Sequence, residues 1–186
     1  MFEKFLNPQI RDTLMTDMLS MSSDLNEADN DEVTWNENVS RSLPDSLYCA
    51  LRASLSFDPP RKAPLLSHIK KHGATYAVRG KHEGNSYILV ETGAGNVAVP
   101  ARIEYIVQLQ APARITTYVA IRRYKPAKIL DDPFAPFPVL RTRLWSTDLA
   151  SLEIITVDLI HAHFAQLLVK WEDTEVAIVS STSREY

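Results

Sequence analysis

The sequence predicts a mainly β fold preceded by helices, and three observations carry that expectation. From Ala74 onward the chain breaks into short stretches rich in Val, Ile, Thr and Tyr, separated by Gly, Asn and Pro, which is strand and turn chemistry. Before Asp58, by contrast, apolar residues recur at helical spacing. No run approaches the roughly 20 apolar residues of a membrane-spanning helix, and 186 residues can build one domain with an appendage.

The first element follows Asn7-Pro8. Ile10, Leu14, Met15, Met18 and Leu19 recur as one face of an amphipathic helix over about 8 to 21, with Asn7 as its cap and Pro8 in its first position. Ile10, Leu14 and Met18 are its candidate anchors for a protein partner. Residues 22 to 40, dominated by Ser, Asp, Asn and Glu, cannot bury enough surface to order themselves and read as a linker. Ser42-Leu43-Pro44-Asp45 then supplies a capping residue, a helix-start proline and a first-turn acid, and Leu47, Tyr48, Leu51 and Leu55 continue on one face. A second helix at about 44 to 56 is expected, with Cys49 buried on its apolar side. Asp58-Pro59-Pro60 ends it.

Strands are expected near 74 to 79, 86 to 91, 96 to 109, 114 to 125, 141 to 146, 152 to 156 and 175 to 181. Lys81-His82-Glu83-Gly84-Asn85 bridges the first two, and Ala111-Pro112-Ala113 joins two long runs as a hairpin would. Between Lys128 and Pro138, three prolines forbid an interior strand and predict a surface loop anchored to the core by Phe134 and Phe137. Val157-Asp158-Leu159-Ile160 reads as a turn of helix. The organisation is thus a helical, acidic segment at 1 to 58 and a β-rich domain at 59 to 186.

Charge is unevenly placed. Residues 1 to 58 carry 11 acids and 4 bases, residues 59 to 128 carry 3 and 12, and residues 129 to 186 carry 9 and 4, so a chain of net charge -3 contains a block of net +9. Arg61, Lys62, Lys70, Lys71, Arg79 and Lys81 all precede the first acid of that block, Glu83, with His68, His72 and His82 among them. Together with Arg122 and Arg123 they are the candidate nucleic-acid contacts, since such a field attracts a polyanion by phosphate neutralisation. Solvated strand faces, neutralised by the acidic segment folding back, are the competing explanation. Tyr118, Tyr124, Trp145 and Trp171, expected on strands, are candidates for stacking bases or caging a methylated ammonium, with core packing as the alternative.

Catalytic chemistry finds little support. His161-Ala162-His163, if extended, and His68 with His72, if helical, would each give half a metal site, but neither has a third ligand at a recognisable spacing. Gly93-Ala94-Gly95 lacks the lysine of a phosphate-binding loop, and no serine sits in a Gly-x-Ser-x-Gly elbow. Asp131-Asp132 is an adjacent carboxylate pair whose members diverge in direction. A single cysteine excludes an intramolecular disulfide, and the first residues lack the basic start and apolar stretch of a secretory signal. No enzyme activity, cofactor, metal or membrane contact is expected, and an intracellular compartment fits best.

Two resemblances add context. Gly84-Asn85-Ser86-Tyr87-Ile88, Val99-Pro100-Ala101-Arg102-Ile103-Glu104-Tyr105-Ile106, Val119-Ala120-Ile121-Arg122-Arg123-Tyr124, Asp132-Pro133-Phe134-Ala135-Pro136-Phe137-Pro138 and His163-Phe164-Ala165 resemble, in order, signatures of uncharacterised transposase-associated proteins of mushroom-forming fungi, over roughly residues 44 to 186. That resemblance implies a nuclear, transposon-related setting. The succession Ala101 to Ile106, Tyr118 to Pro126, Thr142 to Ser146 and Ile155 to Ile160 looks more remotely like a bromo-adjacent homology (BAH) domain, whose β-rich core serves chromatin and protein contacts. It implies a partly open β-barrel. The chain departs from that family at Gly84 to Glu91, and no cage residue is carried over. The expected function is a chromatin- or DNA-associated interaction module without catalysis; a protein-interaction or oligomerisation adaptor is the alternative.

Overall fold

The computed structural model describes residues 40–92, 97–111, 114–128, 132–171 and 173–182. In chain order its elements are strand β1 (Ser40–Ser42), helix α1 (Asp45–Ser54) and strands β2 (Lys62–Leu66), β3 (His68–Lys71), β4 (Ala74–Ala77), β5 (Tyr87–Thr92), β6 (Val97–Gln110), β7 (Ile115–Pro126), β8 (Thr142–Thr156), β9 (Ile160–Trp171) and β10 (Thr174–Ser181). Short 3-10 turns lie at Gly84–Ser86, Pro138–Leu140 and Val157–Leu159, the last where a turn of helix is expected. Every described residue belongs to one compact unit. The helix expected at 8 to 21, with Ile10, Leu14 and Met18, and the linker up to residue 39 lie outside the described residues. Among the described residues no helix is long and apolar enough to cross a membrane.

Six strands close into a barrel in the order β6-β5-β9-β10-β8-β7, with β7 returning to β6, and β2 then β1 extend the sheet beyond β6. Closure rests on the length of β6, which is flanked on one side by β5 and then β2, and on the other by β7 from Ala101 to Gln110. The ring is therefore complete where the sequence suggests a partly open one. Pro100 lies in β6 where only β5 is paired to it, at Leu89, so its missing N–H removes no bond to β7. Past Ile103 the register with β7 slips by one residue at Glu104. There the bulge carboxylate accepts both Nε and Nη2 of Arg102, at 2.9 and 2.6 Å, and stands 4.0 Å from Nε of Arg122. Arg102 and Arg122 face each other across the strands, so Glu104 offsets a like-charge pair that would otherwise destabilise the ladder.

Strand alternation sorts the core. Ile88, Val90, Ala101, Ile103, Ile106, Val119, Ile121, Ile155 and Ile160 form one cluster, roofed by Ile69 and Tyr76 of the β3–β4 hairpin. On the other face, Leu47, Tyr48 and Leu51 of α1 pack with Val107, Leu109 and Ala120. Each such fully buried aliphatic side chain contributes about 1.5–3 kcal/mol, which holds a ten-residue helix that would be marginal alone. A third cluster joins Tyr87, Leu89, Tyr124, Phe164, Ala177 and Val179. In it Tyr124 of β7 meets Phe164 of β9 edge-on, ring centroids 5.8 Å apart, across the ring from the strand opposite.

Several expectations need correction. The helix is shorter at both ends, and Ser42 lies in β1 instead of capping it; Pro44 occupies the cap position and its carbonyl accepts the Tyr48 N–H. Cys49 is exposed, because the buried face of α1 runs through Leu47, Tyr48 and Leu51 and turns residue 49 to solvent. The runs at 141 to 146 and 152 to 156 are one strand, β8. β1, β2, β3 and β9 are additional strands. In the proline-rich loop Phe134 is half-buried, but Phe137 is 56% exposed and is not part of the core.

Candidate nucleic-acid interface

The basic segment folds as a hairpin and a turn mounted on the barrel. Lys71 and Ala74 close a two-residue loop in which His72 and Gly73 both have positive φ, 49° and 73°, the left-handed pair that a tight hairpin requires. His68 and His72 therefore do not share a helix face. Alternation along β3 points Ile69 and Lys71 toward the barrel and His68 and Lys70 away from it. After β4, the Val78 carbonyl accepts the N–H groups of both Lys81 and His82, and the Arg79 N–H donates to the Ile103 carbonyl, which fixes the turn against β6.

This geometry divides the candidate cations. Lys62, Lys70, Arg79 and Lys81 are exposed and have no carboxylate partner among the described residues. The other four are committed elsewhere. The Arg61 guanidinium lies 3.7 Å above the Tyr48 ring and 3.6 Å from Asp45. Lys71 Nζ donates to the carbonyls of Asp158 and Ile160, at 3.0 and 2.6 Å, clamping the hairpin to the start of β9. Arg122 donates to the Ala150 carbonyl. Arg123 forms a two-pronged pair with Glu153 at 2.7 and 2.9 Å, and this bond raises its pKa against the opposing effect of burial. Arg122 and Arg123 are thus parts of the barrel wall and not of the exposed hairpin.

His163, which sequence spacing offers as half a metal site, instead fastens the hairpin. Its ring stacks on Tyr76 with centroids 4.3 Å apart, and its two nitrogens lie 3.2 Å from the Tyr87 carbonyl and 3.1 Å from the Thr75 carbonyl. A neutral imidazole can donate to only one of them. Burial lowers its pKa below the ordinary 6.5, the two carbonyls oppose that, and His82 nearby reinforces it. His161 is turned by a register slip between β5 and β9 toward Glu91, 3.2 Å away. Among the described residues no three His, Cys, Asp or Glu side chains gather as a metal site.

The aromatic candidates do not converge. Tyr124 is buried, its hydroxyl donating to Gln166 Oε1 at 2.8 Å, and burial raises its pKa. Tyr118 packs beside the α1 cluster, Trp145 beside the Tyr124 cluster, and Trp171 ends β9 half-buried. Trp145 borders an open hollow of about 280 Å³ with Pro126, Ala127, Asp132, Arg143 and Leu144. Both Asp132 oxygens there accept backbone N–H groups, of Phe134 and Leu144, so the acid is structural. No cage forms from these four. Sequence spacing missed His163 and Tyr76 as the hairpin's fasteners, because their pairing spans most of the domain. Compared with known proteins, the chain matches no family model, no curated protein and no solved structure.

Proposed function

We propose that the chain is a non-catalytic interaction module that binds DNA in chromatin, in the setting of a transposon-related nuclear protein, through the start of β2, the β3–β4 hairpin and the turn that follows it. The observation supporting this reading is the set Lys62, Lys70, Arg79 and Lys81, exposed and without carboxylate partners among the described residues, on a stretch from 59 to 82 that contains no acid. An amphoteric surface neutralises its cations locally; this one leaves them available for phosphate oxygens. Because the whole chain carries net charge -3, the attraction is local to these side chains and is screened over roughly 8–10 Å at physiological salt. The reading rests on phosphate contact by these cations, which positions a protein on the duplex without reading its sequence, so sequence-tolerant backbone binding is expected.

A salt titration of binding to duplex DNA, single-stranded DNA and nucleosomes tests the proposal. Four neutralised phosphates give a slope of about -3.6 in log affinity against log salt on duplex DNA. Replacing Lys62, Lys70, Arg79 and Lys81 together by Gln removes that slope while leaving the unfolding midpoint in place. Absence of binding to all three probes at low salt, or unchanged affinity in the fourfold variant, overturns the reading.

A further inference from the structure

We propose that β9 is a self-pairing edge through which two copies of this chain form an antiparallel dimer. β5 covers β9 only between Ile160 and His163, and from Phe164 to Trp171 the strand is paired on one side alone, by β10, among the described residues. The turn into β10 determines which backbone groups this leaves over. Trp171 faces Thr174 across a two-residue connection in which Asp173 has φ 65°, and residues closing such a connection bond to each other. Alternation then aims the N–H and C=O of Lys170, Leu168 and Gln166 at the outer edge. None of these groups has a backbone partner there among the described residues. The chemistry that satisfies such a row is another extended strand.

The side chains name the occupant. Leu167 and Leu168, on opposite faces of the strand, are 61% and 53% exposed. Charge or proline usually guards a free edge, and Phe164 to Val169 contains neither. A two-fold axis perpendicular to the sheet at Leu168 places that residue opposite its own mate, Leu167 opposite Val169, and Gln166 opposite Lys170. Every opposed pair is apolar with apolar or amide with ammonium. No like charges meet, and Lys170 keeps Asp173 at 2.7 Å, which leaves the edge neutral. The same register brings outward-facing residues opposite one another, as antiparallel hydrogen bonding requires.

Sedimentation equilibrium of the full chain without DNA tests the proposal; the expected species has twice the 21.0 kDa chain mass. Leu168→Lys sets two ammonium groups against each other, and Leu168→Pro removes an outward N–H without costing a β9–β10 bond. Both are expected to be monomers with an unfolding midpoint close to that of the parent, since the side chain is exposed. In a Cys49→Ser background, Leu168→Cys is expected to give a disulfide-linked dimer on mild oxidation, and Leu159→Cys is not. A parent that is monomeric at every concentration, or a dimer that survives both Leu168→Lys and Leu168→Pro, overturns the proposal. So does a monomer that captures an added strand-forming peptide at β9, which would assign the edge to a foreign partner.

Discussion

Lys70 and Lys71 are neighbours in sequence with opposite assignments, and the contrast can be measured. Lys71 Nζ makes two charge-assisted bonds to backbone carbonyls of the β8–β9 corner. Bonds to a charged group contribute roughly 1.5–3 kcal/mol each when buried; here one is exposed and one half-buried, so Lys71→Met should cost about 1–2 kcal/mol in total. For a chain of this length that lowers the thermal midpoint by roughly 2–8 °C. Lys70→Met removes no contact and should leave the midpoint unchanged, yet it deletes one phosphate contact, which reduces the salt slope by about 0.9. Thermal unfolding of both variants, paired with fluorescence anisotropy on labelled duplex DNA at several salt concentrations, reads both quantities. The argument fails if Lys70→Met is as destabilising as Lys71→Met, or if Lys71→Met alone loses the salt slope.

Three other outcomes follow from the same geometry. His163 has a lowered native pKa, so between that value and 6.5 the unfolded chain binds the proton first; the stabilisation is complete above about pH 6.5 and declines as pH falls. Urea midpoints from pH 8 to 5 should drop for the parent and lose this component in His163→Gln; parallel declines would refute it. Glu104→Ala leaves Arg102 opposed to Arg122 and should cost roughly 1–3 kcal/mol, a loss that Glu104→Ala combined with Arg122→Leu partly restores in a double-mutant cycle. Cys49 is exposed and should react fully with a thiol reagent in the native protein, whereas a buried thiol would wait for denaturant.

How much of this was legible depends on whether a signal was local. The helix at Asp45–Ser54 announces itself through Leu47, Tyr48 and Leu51, and the β6–β7 hairpin through Ala111-Pro112-Ala113, since spacing and turn chemistry act over a few residues. β9 gives no such sign. Its inner positions near Ile160 alternate, but Leu167-Leu168-Val169 is a continuous apolar run on a strand that extends beyond β5, so neither a period of two nor a helical period emerges. The β2 and β3 segments are hidden in another way: Pro64 and the run of Lys and His give no alternating apolar pattern, and their strand state comes from pairing with β1, β6 and β4. The basic block was plain as a density of charge, but its division into exposed and engaged members was not.

That division is governed by which face of a strand each residue takes. Lys70 and Lys71, Arg122 and Arg123, and Leu167 and Leu168 are each adjacent pairs with nearly identical chemistry, and in each the two members point to opposite sides of the sheet. What each side then meets is decided far away in the chain: Lys71 finds Asp158 and Ile160, Arg123 finds Glu153, and His163 finds Thr75. A one-residue slip in β3 would send Lys71 outward and Ile69 with it, exposing an apolar side chain and losing the clamp together. The buried fasteners therefore fix the register that keeps Lys70 in solvent. On this account, loss of His163 or Lys71 weakens polyanion binding only indirectly, by loosening the hairpin, and the loss is recovered at temperatures where the hairpin is again fully docked. Loss of Lys70 is not recovered at any temperature.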